Sequence, residues 1–114
     1  MVYKFLSETN DYGEINMEAH ALWIKFTIKQ GYMKEFMEAA MYDAKHSMED
    51  EKSCQHFRVL TKDDEPNSVY FLEVYDDKEG HATHRTMPHY DVFAKVADKV
   101  VEKRERTELV IHNP

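Results

Sequence analysis

Glycine is scarce in this chain of 114 residues. Only Gly13, Gly31 and Gly80 are present, and they lie far apart. Phosphate-binding turns such as the GxGxxG turn and the P-loop need clustered glycines, because the backbone must approach the phosphate closely. The sequence therefore excludes nucleotide binding by either device.

Cysteine is nearly absent, since Cys54 is the only one. It cannot form an intrachain disulfide, which is typical of a reducing compartment. The N-terminal residues 1–5 lack the extended apolar stretch and the cleavage site of a signal peptide. No apolar run approaches the roughly 20 residues that a spanning helix needs. We therefore expect a cytoplasmic protein without a membrane partner.

Basic residues are outnumbered, with 15 Lys and Arg against 22 Asp and Glu, so the formal net charge is −7. A nucleic-acid surface needs clustered cations, and the densest basic run, residues 103–106, is interrupted by Glu105. We interpret that run as a solvated helix end and expect no nucleic-acid partner. The length suits one domain, and the 42% hydrophobic content is enough for one core.

The first half of the chain alternates and then becomes helical. Residues 20–29 alternate as a strand with Leu22 and Phe26 on one face. From 32 to about 48 the apolar residues follow a helical period, and its methionines predict an adaptable core face. That predicted stripe consists of Met33, Phe36, Met37, Ala40, Met41, Ala44 and Met48. Residues 54–61 and 69–75 read as a hairpin of two strands joined by a loop at 62–68.

The second half supplies two helical pieces and a last strand. The Asp76-Asp77 pair can cap a helix starting near residue 78, and Pro88 interrupts it and begins a second piece. The apolar stripe of the second piece extends to Val101, and a strand follows at 107–112. The order βαββαβ predicts an α+β, ferredoxin-like fold with an antiparallel sheet. We assign residues 1–19 to an N-terminal extension, with a possible short strand, and 20–114 to the domain.

The third and fourth strands are apolar on both faces. Tyr70, Leu72 and Val74 alternate with Val69 and Phe71. Two helices can cover only one face of a sheet, so a second copy of the chain is the simplest cover for the other. The sequence therefore predicts a homodimer with its sheets face to face.

Glu73 is the most unusual chemical group, because a carboxylate in the middle of an apolar strand is costly unless it is paired. Burial would raise its pKa and suit it to general acid or base catalysis, while a structural salt bridge is the equal alternative. Cys54 lacks an activating partner and is predicted to pack in the core.

Histidines are numerous, and His81, His84 and His89 flank the predicted helix break. His81 and His84 share a helix face, but an isolated His-x-x-His pair is a weak metal signal. We predict hydrogen-bonded or exposed histidines and no metal site.

Several motifs resemble the antibiotic biosynthesis monooxygenase (ABM) family, nearest to a small bacterial branch that includes the autoinducer-2-phosphate isomerase. They are His46, then C-Q-H-F-R-V-L from Cys54, Y-F-L-E-V-Y from Tyr70 and H-R-T-M-P-H-Y from His84. The resemblance covers about residues 20–114. It implies a dimeric α+β barrel and a small-molecule pocket between sheet and helices. It also implies chemistry without metal, flavin or haem.

The resemblance further implies the site residues. Candidate catalytic residues are His46, Glu73 and His84, and candidate substrate-binding residues are Phe57, Arg58, Tyr75, His89 and Tyr90. The favoured function is cofactor-independent monooxygenation of a small oxygenated or phenolic molecule. The alternatives are isomerisation or degradation of a small phosphorylated dione, haem handling, or binding without turnover. A phosphorylated substrate would need local cations, for which Arg58, Arg85 and Lys45 are the candidates.

Overall fold

A computed structural model describes residues 18–113. The proposed extension, with its possible short strand, lies outside the described residues except for Glu18 and Ala19. The described chain contains four strands and three helices. They are β1 (Ala19–Ile28), α1 (Met33–Asp50), β2 (Cys54–Lys62), β3 (Glu65–Tyr75), α2 (Lys78–His84), α3 (Pro88–Val100) and β4 (Val101–Ile111).

The strands form one antiparallel sheet in the order β2-β3-β1-β4. This topology confirms the ferredoxin-like α+β fold. The register decides which side chains share a face, because directly paired residues point to the same side. Ile24 pairs with both Phe71 and Arg106. All three therefore lie on the face that the helices cover.

Helix α1 begins after a turn in which Gly31 has φ +89°. This left-handed conformation favours glycine, so the residue ends β1 cleanly before the helix starts. Phe36, Ala40 and Ala44 are buried against the sheet. The predicted methionine core face is only partly correct. Met33 and Met37 pack against the core.

The outer edge of that predicted stripe is wrong, since Met41 is 54% exposed and Met48 is 45% exposed. The buried stripe of α1 continues instead through Asp43 and Ser47, which are both polar. Both sets of positions, Met41 and Met48 or Asp43 and Ser47, fit a helical period. The methionines were predicted to be buried only because they are apolar. The difference matters because it brings a carboxylate into the interior.

The β2–β3 hairpin is tighter than predicted. Two residues, Asp63 and Asp64, make the turn, and β3 already begins at Glu65. The prediction of a longer loop at 62–68 was wrong. It rested on Pro66 and Asn67, which are residue types common in turns but here belong to β3. Pairing of β3 with β1 stops at Ser68, so these residues lie where β3 extends beyond its central neighbour.

The predicted helix break is confirmed. The side chain of Asp77 caps α2 by accepting a hydrogen bond of 2.8 Å from the backbone N–H of Gly80. Helix α2 ends at His84, and Pro88 occupies the first turn of α3. The break places His84 at the end of α2 and His89 in the first turn of α3, and both side chains are buried.

The last strand begins six residues earlier than predicted. Helix α3 ends at Val100 and passes directly into β4 at Val101, so the basic residues 103–106 belong to a strand and not to a helix end. Almost the whole strand is exposed, and its alternating charges hide the period-2 apolar signal. Near its start, Val101 pairs with Ile28 and Lys103 with Thr27, so Glu102 is an extra residue in a bulge.

The sheet has two contrasting faces. Its helix-covered face carries the aromatic core of Phe26, Phe36, Phe71 and Phe93. Its opposite face carries Trp23, Leu60 and Leu109, which are 38%, 40% and 48% exposed. Within residues 18–113, no helix is long and apolar enough to cross a membrane.

Candidate active site

A cavity of about 150 Å³ lies between the helices and the helix-covered face of the sheet. Its walls combine aromatic, acidic and basic side chains, a mixture suited to binding a small polar molecule. The lining residues come from β1, α1, β3, α2, α3 and β4. They are Ile24, Phe26, Asp43, Phe71, Glu73, His81, His84, Arg85, Tyr90, Phe93, Arg104 and Arg106.

Glu51, at the C-terminal end of α1, joins two histidines beside this cavity. Its Oε2 atom lies 2.7 Å from His84 Nδ1 and 2.5 Å from His89 Nε2. All three side chains are buried. A carboxylate can only accept hydrogen bonds, so both ring nitrogens carry protons when Glu51 is ionised.

This bridge orients the reactive nitrogen of His84. With the proton on Nδ1, the neutral ring presents the Nε2 lone pair. Nε2 lies 3.8 Å from Asp43 Oδ2 and 3.9 Å from Glu73 Oε1. Burial lowers the pKa of His84, and the hydrogen bond to Glu51 opposes that effect. His84 is therefore a neutral base at the cavity wall near pH 7.

Glu73 is held by the neighbouring aromatic hydroxyl. Tyr75 donates a hydrogen bond of 2.7 Å to Glu73 Oε1. Burial raises the pKa of Glu73 to about 7, although this hydrogen bond and the charges of Arg106 and Arg104 oppose the shift. Burial also raises the pKa of Tyr75, so its hydroxyl remains a donor.

Asp43 is the second carboxyl group at the cavity, with 1% of its surface exposed. Ser47 Oγ, 3.5 Å from Oδ1, is a distant donor. Burial raises the pKa of Asp43 to about 8, and the charges of Glu73 and Glu51 add to the shift. Asp43 and Glu73 therefore both change protonation state near neutral pH, and each lies within 4 Å of His84 Nε2.

Most of the predicted site residues meet here. Glu73, His84 and Tyr90 line the cavity. Tyr75 donates a hydrogen bond to Glu73, and His89 contacts Glu51, the carboxylate that also binds His84. Phe57 is buried with its ring centroid 6.0 Å from that of His84. The predicted constellation of strand-three and helix-break residues is therefore brought together in one place.

Two predicted residues lie elsewhere. Arg58 pairs with Leu72, which places it on the opposite, exposed face of the sheet, away from this cavity. His46 lies at the outer side of α1, where its Nδ1 is 3.1 Å from Asp50 Oδ2. Its ring centroid is 6.0 Å from that of His89. Neither side chain lines the cavity.

Sequence reasoning did not select Asp43, Glu51, Arg104 or Arg106 as members of the site, whereas Arg85 was a candidate cation for a phosphorylated substrate and does line the cavity. One signal was available for Asp43, because it falls between Ala40 and Ala44 on the apolar side of a helix. Glu51 carries no such pattern, since it stands in a polar helix end. Arg104 and Arg106 were assigned to a solvated helix.

Cys54 packs in the core, as predicted. Its thiol is directed at Met48 Sδ, 3.8 Å away, and at the carbonyl of His56, 3.6 Å away. Burial raises the pKa of the thiol to about 12. A thiol that stays protonated at neutral pH is a poor nucleophile.

A divalent metal has one buried set of possible ligands in the described part of the chain. Asp43, His84 and His89 each offer an atom within 4.8 Å of the other two. An exposed set is formed by His46, Glu49 and Asp50. His84 could offer Nε2 to a metal while its Nδ1–H donates to Glu51, since metal-ligating histidines commonly donate their other ring N–H to a carboxylate.

The sequence profile of the antibiotic biosynthesis monooxygenase family matches residues 19–96. That range runs from β1 into α3 and contains every buried acidic and histidine residue described above. The chain belongs to the ABM family. No curated protein matches it.

Solved structures share the fold of this ABM protein. A Bacteroides thetaiotaomicron protein provisionally named an antibiotic biosynthesis monooxygenase is 19% identical with a TM-score of 0.79, over 84% of this chain and 91% of that one. A similarly named Nitrosomonas europaea protein is 19% identical with a TM-score of 0.75, over 79% and 95%.

A third structure is that of a provisionally named monooxygenase from Lactobacillus acidophilus. It is 26% identical with a TM-score of 0.78, over 84% of this chain but 45% of that chain. The ABM domain described here therefore corresponds to less than half of the Lactobacillus protein. At these identities the likeness is one of fold, and the chemistry of this family member has to be argued from its own residues.

Proposed function

We propose that this ABM-family protein is a monooxygenase that activates a small phenolic or enolisable molecule for direct reaction with dioxygen, without a cofactor. The observation that carries the proposal is the orientation of His84. Glu51 holds its Nδ1 at 2.7 Å, so that Nε2 faces a cavity flanked by Asp43 and Glu73.

The first step is removal of a proton from an activated CH₂ group of the substrate, which in a phenol is the ring carbon next to the carbonyl of its keto tautomer. His84 Nε2 accepts this proton, and Glu51 stabilises the resulting imidazolium through the hydrogen bond at Nδ1. The nearby carboxyl groups of Asp43 and Glu73 stabilise it further when they are ionised. The substrate becomes a carbanion conjugated with its oxygen.

The second step joins this carbanion to dioxygen. One electron passes to dioxygen, and the radical pair combines to form a C–O bond and a substrate peroxide. His84 returns its proton to the terminal oxygen, giving a hydroperoxide. Loss of the second C–H proton and cleavage of the O–O bond then form a ketone and water. The balance is R₂CH₂ + O₂ → R₂CO + H₂O, with the substrate carbon oxidised and dioxygen reduced.

Isomerisation is the second candidate, favoured by the two carboxyl groups with raised pKa values. After the same deprotonation, a protonated Asp43 or Glu73 could return a proton to the neighbouring carbon of an enediolate. Both candidates share the first step, so dioxygen consumption separates them.

We also propose that the working unit is a homodimer formed through the opposite face of the sheet. Trp23 and Tyr70 stack there with centroids 5.3 Å apart, and Leu60 and Leu109 are well exposed beside them. An apolar sheet face of this kind is normally covered. A second copy of the chain offers the same surface, which suits an interface with twofold symmetry.

An oxygen electrode tests the proposed reaction with a panel of hydroquinones and cyclic enolisable ketones. We expect dioxygen uptake with at least one compound, and one oxygen atom of the product should come from ¹⁸O₂. The same panel is followed by NMR for isomerisation. Isomerisation without dioxygen uptake would contradict the monooxygenase and support the second candidate.

A histidine pair gives the matched control. His84→Ala should lower the rate by about 10²–10⁴-fold, the usual contribution of a positioned base. His112→Ala removes a histidine whose side chain is 75% exposed and which contacts Glu18, so it should leave the rate unchanged. Equal rates for both variants would remove His84 from the mechanism.

A further inference from the structure

The cavity has a cationic side as well as an acid–base side. Arg85, directly after α2, and Arg104 and Arg106 on β4 line it together with the buried Asp43 and Glu73. The three arginine residues are exposed, whereas the two carboxyl groups are buried. The arginines therefore form the solvent side of the cavity, and the proton-exchanging groups form its inner side.

These arginines retain capacity for an anion. Arg106 contacts Glu108 at 3.0 Å, and Glu108 is also shared with His20. The guanidinium of Arg104 lies over the ring of Phe26 at 5.2 Å. Within residues 18–113, neither Arg85 nor Arg104 has a carboxylate within 4.0 Å. A guanidinium donates five hydrogen bonds in a planar fork, which suits a carboxylate or phosphate.

The fields of these arginines reach the inner side of the cavity. Arg106 and Arg104 lower the pKa of Glu73 against the larger effect of burial. Arg85 and Arg106 add to the burial that lowers the pKa of His81 to about 4. In a chain of net charge −7, such a local concentration of positive charge is a specific feature of this wall.

The size of the cavity limits the substrate. Its volume of about 150 Å³ equals that of an engineered protein cavity that holds one benzene ring. Phe71, Phe93 and Tyr90 supply flat walls for such a ring. A fused tricyclic substrate would not fit without enlargement of the cavity.

We infer that the substrate is a compact anion, either a single ring or an enolisable molecule of similar size. Its carboxylate or phosphate binds Arg104 and Arg106, and its reacting carbon faces His84. The inference rests on the proposed function and specifies its substrate class. Arg104 and Arg106 attract the anionic group to the solvent side, and Asp43 and Glu73 repel it from the inner side when they are ionised, so the anion has one preferred orientation.

Anaerobic calorimetry tests this binding separately from turnover. The probes are 2,5-dihydroxybenzoate, 4-hydroxyphenyl phosphate and the neutral parent hydroquinone, so the first two distinguish a carboxylate from a phosphate. We expect at least one anionic probe to bind about tenfold more tightly than hydroquinone, the ratio that corresponds to one added charge-assisted hydrogen bond. Added salt should reduce that advantage.

Charge-removing variants locate the anion. Arg104→Gln and Arg106→Gln should each weaken binding of the anionic probe about three- to tenfold and leave the affinity for hydroquinone unchanged. Lys95→Gln is the control, because it removes one positive charge from a side chain 77% exposed on α3. Circular dichroism confirms that each variant is folded.

Equal affinity for anionic and neutral probes would overturn the inference, as would failure of both anions to bind at millimolar concentration. An equal loss for both probe types in the arginine variants would also overturn it. Tight anion binding without dioxygen uptake would instead leave the inference standing and contradict the monooxygenase.

Discussion

The two faces of the sheet reverse the usual distribution of polarity. The helix-covered face buries Asp43, Glu73 and His84 in the interior of the protomer. The opposite face leaves Trp23 and Leu109 38% and 48% exposed. Burying ionisable groups and exposing apolar ones both lower the stability of a lone protomer.

This reversal teaches that the two faces serve different purposes. On the covered face, the low-dielectric surroundings that lower stability also raise the pKa values of Asp43 and Glu73 toward neutrality, which suits the proposed acid–base chemistry. The exposed face suits the proposed association, in which a second copy would supply the missing burial. Breaking each face separately should therefore give different losses.

The largest effect is expected from Glu51→Gln on the covered face. The amide can offer its N–H to His84 Nδ1, so the ring proton moves to Nε2 and the lone pair leaves the cavity. We expect the rate to fall about 10²–10⁴-fold, as for loss of a positioned base. Oxygen uptake measures the rate, and ¹⁵N NMR of the imidazoles reports the tautomer.

Glu51→Asp is the conservative comparison, because it retains an acceptor. It should restore part of the rate and the native tautomer signal. If Glu51→Gln lost activity with an unchanged His84 tautomer, Glu51 would not position the base.

The next effect is expected from Leu109→Glu on the exposed face. A charge buried without a partner in the proposed interface should weaken the dimer by at least about tenfold. Sedimentation at micromolar concentrations measures the association. Val110→Glu is a close control, since Val110 is 50% exposed on the adjacent position of β4 and faces the other way.

Equal dissociation by the two variants would show that the opposite face is not the interface. A wild-type chain that sediments as a monomer would contradict the dimer itself.

A smaller effect is expected from pH on the covered face. Asp43 and Glu73 have folded-state pKa values raised to about 8 and about 7, so their ionisation in the unfolded chain draws the equilibrium toward unfolding as pH rises. His81, with its pKa lowered to about 4, acts in the other direction below about pH 6.5.

Above pH 6.5 the carboxyl groups act alone. From pH 6.5 to 8 the free energy of unfolding should fall by roughly 2 kcal/mol, and it should level off above about pH 9. Urea unfolding at a series of pH values measures it, and Asp43→Asn should flatten the curve. A free energy of unfolding that rises over this interval would contradict the buried-acid assignment.

The smallest effect is expected at the rim, from His46→Ala. His46 is half-buried and pairs with the exposed Asp50, a contact worth about 0.3–0.5 kcal/mol on a helix surface. The rate should fall less than about tenfold because His46 lies beyond His89 and not at the cavity. A loss as large as that of His84→Ala would restore the sequence-based assignment of His46 as a catalytic residue.

The fold was predictable because its strands and helices leave strong periodic signals. Alternation in β1 and the proline break at Pro88 gave the element order, while the meeting of His84 and Glu73 in one pocket was implied by the family resemblance. Glu73 itself was predictable, since a carboxylate within an apolar strand is conspicuous. Its partner Tyr75 followed two residues later on the same face.

The remaining site residues could not be predicted because their signals are not local. Glu51 acquires its hydrogen-bond partner only when His84, 33 residues later in the chain, packs against it in the fold. Arg58 and Arg104 both occupy strands rich in polar residues, and only the register decides that Arg104 faces the helices. Strand β4 gave no apolar alternation from which that register could be read.

One extra residue decides which charges surround the cavity. Glu102 stands in the bulge between Val101 and Lys103, directly after a helix that passes into the strand without a loop. A regular ladder that continued from the Val101–Ile28 pair without this bulge would place Lys103 opposite Phe26 and Glu105 opposite Ile24, so these two residues would replace Arg104 and Arg106 on the cavity side. The bulge therefore sets the charge of the cavity wall contributed by β4, independently of the wall residues that the helices supply.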